Sequence, residues 1–125
     1  MGSKETIFLQ RPAERQDFVA WADVLKVLAH PSRLMLIEAL SGGERCVQDL
    51  TDLVGHDMST VSKHLNLLRE SGIVADDKRG KQVYYRLRIP YVLHVFYLLE
   101  AIRGADRSHA GQPPSTLRPL KGSGK

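Results

Sequence analysis

Polar side chains that can hydrogen-bond to nucleic acid recur on one side of a helix predicted over residues 58–71. At about 100° per residue, that side carries Ser59, Ser62, Lys63 and Asn66. The opposite side is apolar and consists of Val61, Leu65 and Leu68. Small hydroxyls, an amide and a cation suit the major groove of DNA, where such groups reach base edges and phosphates. An ordinary solvent-facing helix shows the same pattern, so the neighbouring elements decide between the two interpretations.

The elements on either side predict a helix-turn-helix followed by a wing. Upstream, a short amphipathic helix is indicated by Val47, Leu50, Leu53 and Val54. Gly55 ends that helix, Asp57 is placed to cap the next one, and Gly72 is placed to end it. Downstream, strands at residues 73–74 and 83–87 are separated by a cationic turn over residues 77–81. Alternation puts the polar residues of the hairpin on one face, namely Tyr84, Arg86 and Arg88.

Positive charge is concentrated in this segment. Residues 58–88 hold seven Lys and Arg against three Asp and Glu, an excess equal to the formal charge of +4 on the whole chain. The seven cations are Lys63, Arg69, Lys78, Arg79, Lys81, Arg86 and Arg88. Such a concentration is typical of nucleic-acid binding, although a net charge of this size also serves the solubility of a small domain.

Length and composition predict one cytoplasmic domain. The chain has 125 residues, with no run of about 18 apolar residues to span a membrane and no signal-peptide core. A single cysteine excludes an intrachain disulfide and fits a reducing compartment. We expect an N-terminal arm over residues 1–14, a DNA-binding and dimerisation domain over 15–103, and a flexible tail over 104–125.

Three further helices are predicted outside the helix-turn-helix. Residues 11–14 are typical of a helix entry with proline in the first turn. A second helix should begin near Pro31 or Ser32 and bury Leu34, Met35, Ile37, Ala39 and Leu40. The last helix, after Pro90, carries too many apolar residues for one stripe. We expect a second copy of the chain to cover the first and last helices, through Phe18, Trp21, Leu25, Val92, Val95, Phe96 and Leu99.

Four segments of the chain resemble the ArsR/SmtB family of bacterial repressors. They are VLKVLAHPSRLMLIEAL at residues 24–40, ERCVQDL at 44–50, STVSKHLNLLRESGIV at 59–74 and RGKQVYYRL at 79–87. The first is similar to the opening helix pair of the family, the second to its short metal-ligand helix, the third to its recognition helix and the fourth to its wing. The resemblance implies a mainly α fold, a winged helix-turn-helix of about five helices with a two-stranded wing, paired as a homodimer through its first and last helices.

The resemblance also implies a function. A repressor of this kind binds an imperfect palindrome of double-stranded DNA at its own promoter and leaves when an effector binds. The positions expected to contact DNA are Met58, Ser59, Thr60, Ser62, Lys63, His64, Lys78, Arg79 and Lys81. Met58 stands where the family commonly has Gln, and Asp57 where it commonly has Ser. Met58 can pack on a thymine methyl but makes no directional hydrogen bond, and Asp57 repels phosphate unless it turns inward to cap.

The sequence leaves the identity of the effector open. Family metal sensors use Cys-Val-Cys, whereas Cys46-Val47-Gln48 retains one thiolate, too few for a soft-metal site. At the family's second site, Arg88 or Ile89 and Tyr91 replace the first ligands. We therefore expect no metal cofactor, although a site across the dimer is geometrically possible from His94, Glu100, Asp106 and His109. Cys46 is either a redox sensor, activated by the helix N-terminus and Arg45, or a small packing residue.

Two other functional classes fit less well. An enzyme would need a catalytic group, but His30 lies at a helix junction, His56 in the turn and His64 in the recognition helix, and the sequence has no Gly-rich phosphate loop. The chain is therefore not expected to be an enzyme. A winged-helix module that binds protein or RNA uses the same scaffold, and it would dimerise without binding duplex DNA.

Overall fold

The computed structural model of the chain describes residues 9–104. In this range the elements follow in the order α1 (Arg15–Leu28), α2 (Pro31–Ala39), β1 (Arg45–Cys46), α3 (Val47–Val54), α4 (Met58–Glu70), β2 (Val74–Arg79), β3 (Gln82–Leu87) and α5 (His94–Arg103). Short 3₁₀ turns follow α2 and precede α5. Helices α3 and α4 form the predicted helix-turn-helix, and the β2–β3 hairpin forms the wing.

The turn between α3 and α4 follows the signals in the sequence. Gly55 closes α3 with φ of 83°, a left-handed conformation in which glycine has no steric penalty. Asp57 then caps α4, and its side chain accepts a hydrogen bond from the backbone N–H of Thr60. After α4, Gly72 reverses the chain with φ of 84°. Both ends of the recognition helix were therefore predicted correctly to within one residue.

The core joins α2, α3, α4 and the start of the wing. Its most deeply buried side chains are Leu36, Ile37, Leu50, Val61, Leu65, Leu68 and Val74. The predicted stripe on α4 is confirmed. On α2 the prediction was wrong about Met35, which is 46% exposed, whereas Leu36 is fully buried. The buried positions 36, 37 and 40 share one side of a helix with 3.6 residues per turn, and position 35 lies outside it.

The sheet differs from the predicted two-stranded wing. It has three antiparallel strands in the order β1-β3-β2, because Arg45 and Cys46 pair with Tyr85 and Tyr84. The hairpin strands are also longer than predicted. Ladder pairing extends to Arg79 and Gln82, so the turn is only Gly80 and Lys81 instead of residues 77–81. Polar residues enter β2 because their backbone groups pair with β3 while their side chains remain in solvent.

Helix α1 begins later than predicted and is barely packed. Glu14 is its N-cap, so Pro12 precedes the helix instead of occupying its first turn. The carboxylate of Asp17 accepts the backbone N–H of Glu14 at 2.8 Å and pairs with the Arg11 guanidinium at 2.7 Å. The Arg11 hydrogen bond, followed by the backbone bond, lowers the pKa of Asp17 to about 2. Leu28 is the one buried residue of α1, so the helix has a large uncovered surface.

The predicted flexible tail lies outside the described residues, apart from Gly104. The first eight residues of the predicted arm lie outside them too. Among residues 9–104, no helix is both long and apolar enough to cross a membrane.

Candidate nucleic-acid interface

The N-terminal turn of α4 is built around the carboxylate of Asp57. Its oxygens accept hydrogen bonds from the Ser59 hydroxyl at 2.5 Å, the Thr60 hydroxyl at 2.8 Å and the Thr60 backbone N–H at 3.2 Å. These bonds, that of Ser59 first, hold the pKa of Asp57 well below its usual range. The carboxylate is therefore turned onto the first turn of α4 as a cap, and it remains exposed to solvent. Ser59 and Thr60 keep oxygen lone pairs for outside donors.

The outer face of α4 presents Met58, Ser62 and Lys63. Met58 is 41% exposed, Lys63 is exposed and Ser62 is half-buried. Among the described residues, Lys63 makes no ion pair, so its ammonium group is available to an external anion. A thioether, a hydroxyl and an ammonium group next to each other can pack on a thymine methyl, hydrogen-bond to a base edge and contact a phosphate.

His64 lies on the side of α4 that meets α2. Its Nδ1 accepts a hydrogen bond from Arg33 Nε at 3.1 Å, and its ring lies 4.5 Å from the ring of His30. Burial, and then the charges of His30, Arg33 and His56, lower the pKa of His64. Arg33 also donates to the Val27 carbonyl at 2.9 Å, so one guanidinium connects α1 with the recognition helix. No periodic pattern in the sequence predicted this role of Arg33.

Three arginines near the wing are bonded within the described part of the protein, whereas Arg86 and the lysines are not. Arg69 bonds to Asp76 and Asn66, and Arg88 donates to the Gly72 carbonyl. Arg79 pairs with Asp77 and Glu44, which raises its pKa. In residues 9–104, the cations of the basic segment without an ion pair or hydrogen-bond partner are Lys63, Lys78, Lys81 and Arg86. Roughly half of the predicted positive charge is therefore engaged internally.

The predicted dimerisation residues fall into two groups. Phe18, Trp21, Leu25 and Leu99 are 37–58% exposed. Val92, Val95 and Phe96 are half-buried and pack against the core. Around them lies further exposed apolar surface, contributed by Val19, Val24, Tyr97, Leu98 and Ile102. On α1, Phe18 and Trp21 stack edge to face at 5.2 Å beside a shallow depression lined by Arg15, Val19 and Ala22. Surface of this kind on a small domain marks an interaction site.

The structure places Cys46 at the end of β1, in the N-cap position of α3, and half-buried. Arg45 donates to the Ala39 carbonyl at 3.0 Å, so its guanidinium is bonded to the backbone. Among residues 9–104 no three His, Cys, Asp or Glu side chains are grouped closely enough to hold a metal ion. Tyr91 lies beside His94, with 6.0 Å between ring centroids, and Glu100 accepts from Arg103. Asp106 and His109 lie outside the described residues.

Comparisons with known proteins agree on the type of domain. The family model described as "Bacterial regulatory protein, arsR family" matches residues 30–76. Over 101 residues the chain is 39% identical to the HTH-type transcriptional regulator NmtR of Mycobacterium tuberculosis, which covers 80% of this chain and 82% of the relative. It is 32% identical, also over 101 residues, to the HTH-type transcriptional repressor SmtB of the same species, covering 81% and 70%.

A solved structure gives the same answer. The homodimeric winged helix-turn-helix DNA-binding domain from Mycobacterium bovis, described as a possible ArsR-family transcriptional regulator, superposes with a TM-score of 0.65. It is 27% identical in sequence, and the match covers 82% of this chain and 96% of that chain. The winged helix-turn-helix predicted from the sequence is confirmed.

Proposed function

The chain belongs to the ArsR/SmtB family of bacterial transcriptional regulators, and we propose that it acts as a homodimeric repressor. In this proposal it binds an imperfect palindrome in a promoter and dissociates when an effector binds. Homologous proteins of the family are named as transcriptional regulators and repressors, which supports transcription regulation over catalysis.

One observation carries the DNA-binding part of the proposal. The recognition helix presents the Ser62 hydroxyl and the Lys63 ammonium group, and the wing beside it presents Lys78 and Lys81. None of these three lysines forms an ion pair within the described residues. A helix in the major groove and a hairpin on the flanking backbone use hydroxyls and ammonium groups in this way. The carboxylate of Asp57 accepts hydrogen bonds from α4 itself, so the helix N-terminus partly offsets its charge.

The dimer is supported by the uncovered apolar surfaces of α1 and α5. A two-fold symmetric pair would bury the same surfaces on both copies. It would also place two recognition helices in successive major grooves about one helical turn apart, which is the geometry that a palindromic operator requires. The Mycobacterium bovis structure is described as homodimeric.

The effector in this proposal is not a metal held by thiolates. Each chain has one cysteine. A soft metal ion requires two or three thiolates, and zinc requires a tetrahedral set of four ligands. The half-buried position of Cys46 at the start of α3 is compatible with modification by an oxidant, which would act on the helix that supports α4.

Hydroxyl-radical footprinting on DNA from upstream of the chain's own gene tests the proposal. We expect two protected stretches whose centres are about 10 base pairs apart or a multiple of that. Oxidants, metal salts and small molecules are then screened for loss of the footprint. An unprotected promoter, together with a dimeric protein, would contradict the proposal and favour a winged-helix module that binds protein or RNA.

A further inference from the structure

The side chain of Arg79 connects β2 and β3 with the loop before β1. Arg79 is the last residue of β2, and its Nε donates to the carboxylate of Asp77 in the same strand at 2.9 Å. The guanidinium carbon lies 4.6 Å from the centroid of the Tyr84 ring on β3. On the far side it forms an ion pair with Glu44, the residue just before β1. The guanidinium thus lies back across the sheet instead of extending beyond the hairpin turn.

The end of the hairpin near its turn has few neighbouring strands to hold it in place. Strand β1 pairs only with Tyr84 and Tyr85, so the end of β3 near the turn, Gln82 and Val83, has a neighbouring strand on one side alone. The Arg79–Glu44 pair is a side-chain contact that joins this outer part of the wing to the loop before β1. An isolated two-stranded ribbon is marginally stable in water, so one such contact can restrict the direction in which the wing points.

We propose that Arg79 is a positioning residue of the wing, which holds the hairpin against Glu44 while Lys78 and Lys81 contact phosphate. The proposal rests on the DNA-binding function proposed above. Two carboxylates surround one guanidinium, so the Glu44–Arg79–Asp77 group has a net charge of −1, which opposes a phosphate at that point. Lys78 and Lys81 are exposed and have no ion pair within the described residues.

Glu44→Gln tests this assignment by the sign of its effect. Removal of a carboxylate from a protein that binds a polyanion should tighten binding if charge alone matters. If Glu44 holds the wing through Arg79, the same change should weaken binding to promoter DNA about two- to thirtyfold, because one exposed ion pair is lost in each chain of the dimer. Glu70→Gln is the matched control, because Glu70 is an exposed carboxylate on α4 without an ion pair among the described residues. It should leave binding unchanged or tighter.

A double-variant cycle identifies Arg79 as the partner. Affinities are measured by fluorescence polarisation for the wild type, Glu44→Gln, Arg79→Ala and the double variant. In the Arg79→Ala background, Glu44→Gln should no longer weaken binding. Tighter binding by Glu44→Gln, or equal weakening with and without Arg79, would overturn the proposal.

Amide hydrogen exchange separates this proposal from the proposed function. The backbone amides around the turn, residues 78–83, should exchange faster in Glu44→Gln than in the wild type without any DNA present. Unchanged exchange there would overturn the positioning role of Arg79. Equal binding of the wild type to promoter and random duplexes would overturn the operator-binding function, and the exchange experiment would still decide the role of Arg79.

Discussion

Leu25→Ala should weaken the dimer by a measurable and calculable amount. Leu25 is 58% exposed on α1, and complete burial of a leucine side chain contributes about 1.5–3 kcal/mol. Burial of the remaining exposed part in a dimer would therefore contribute roughly 1–1.5 kcal/mol per chain. A two-fold interface contains the residue twice, so the variant should lose about 2–3 kcal/mol, a rise of roughly 30- to 150-fold in the dissociation constant.

The assay is sedimentation equilibrium over a series of protein concentrations. Leu53→Ala is the matched control, because Leu53 is also a leucine on a helix and is 53% exposed, but it lies on α3, away from the predicted interface. Its dissociation constant should equal that of the wild type.

Three results would contradict this prediction. A Leu25→Ala dimer as tight as the wild type would show that α1 is not at the interface. An equal loss in Leu53→Ala would show that the effect is not specific to the apolar surface of α1. A monomeric wild type at working concentration would contradict the dimer itself.

Four further predictions concern α4. Lys63→Ala should lower the slope of log affinity against log salt by about two, because one phosphate contact is lost in each chain of the dimer. Ser62→Ala should change the preference among operator sequences more than it changes the affinity for random DNA. Polarisation titrations at several salt concentrations check both predictions. Leu65→Ala should lower the free energy of unfolding by about 2–5 kcal/mol, because Leu65 is fully buried, and Leu67→Ala, at 39% exposure, should cost much less in the same urea titration. His64→Gln should flatten the pH dependence of stability: the pKa of His64 is lowered in the folded protein, so wild-type stability is complete above the unfolded pKa of about 6.5 and falls as the pH drops through the folded value. Urea titrations between pH 5 and 8 measure this, with His94→Gln on the exposed side of α5 as the control.

Local signals in the sequence predicted most of the fold. The apolar spacing of Val61, Leu65 and Leu68 gave the buried side of α4, and Asp57 and Gly55 gave the turn. These features depend on residues three or four positions apart, so they can be read from a single helix. The prediction of the wing was less accurate. Strand β1 is two residues long and exists only because it pairs with β3, some 40 residues away in the chain.

The candidate site was predicted in composition more than in arrangement. Counting cations did not reveal which ones are engaged, because the Arg79–Glu44 and Arg69–Asp76 pairs are set by the sheet register and by the path of the loop before β1. The position of His64 against Arg33 likewise depends on how α4 crosses α2. Such contacts join distant segments, so residue types and spacing within one segment contain no information about them.

Operator binding is tested most simply by a fluorescence-polarisation titration of the reduced protein. The labelled probe is a duplex from upstream of the chain's own gene, with random duplex as the competitor and salt as the variable. We predict binding that resists the competitor and weakens by about 10³- to 10⁵-fold between 50 and 200 mM salt, as expected for a dimer in which Lys63, Lys78, Lys81 and Arg86 supply about eight phosphate contacts. Equal and weak binding to both duplexes would contradict an operator-binding repressor.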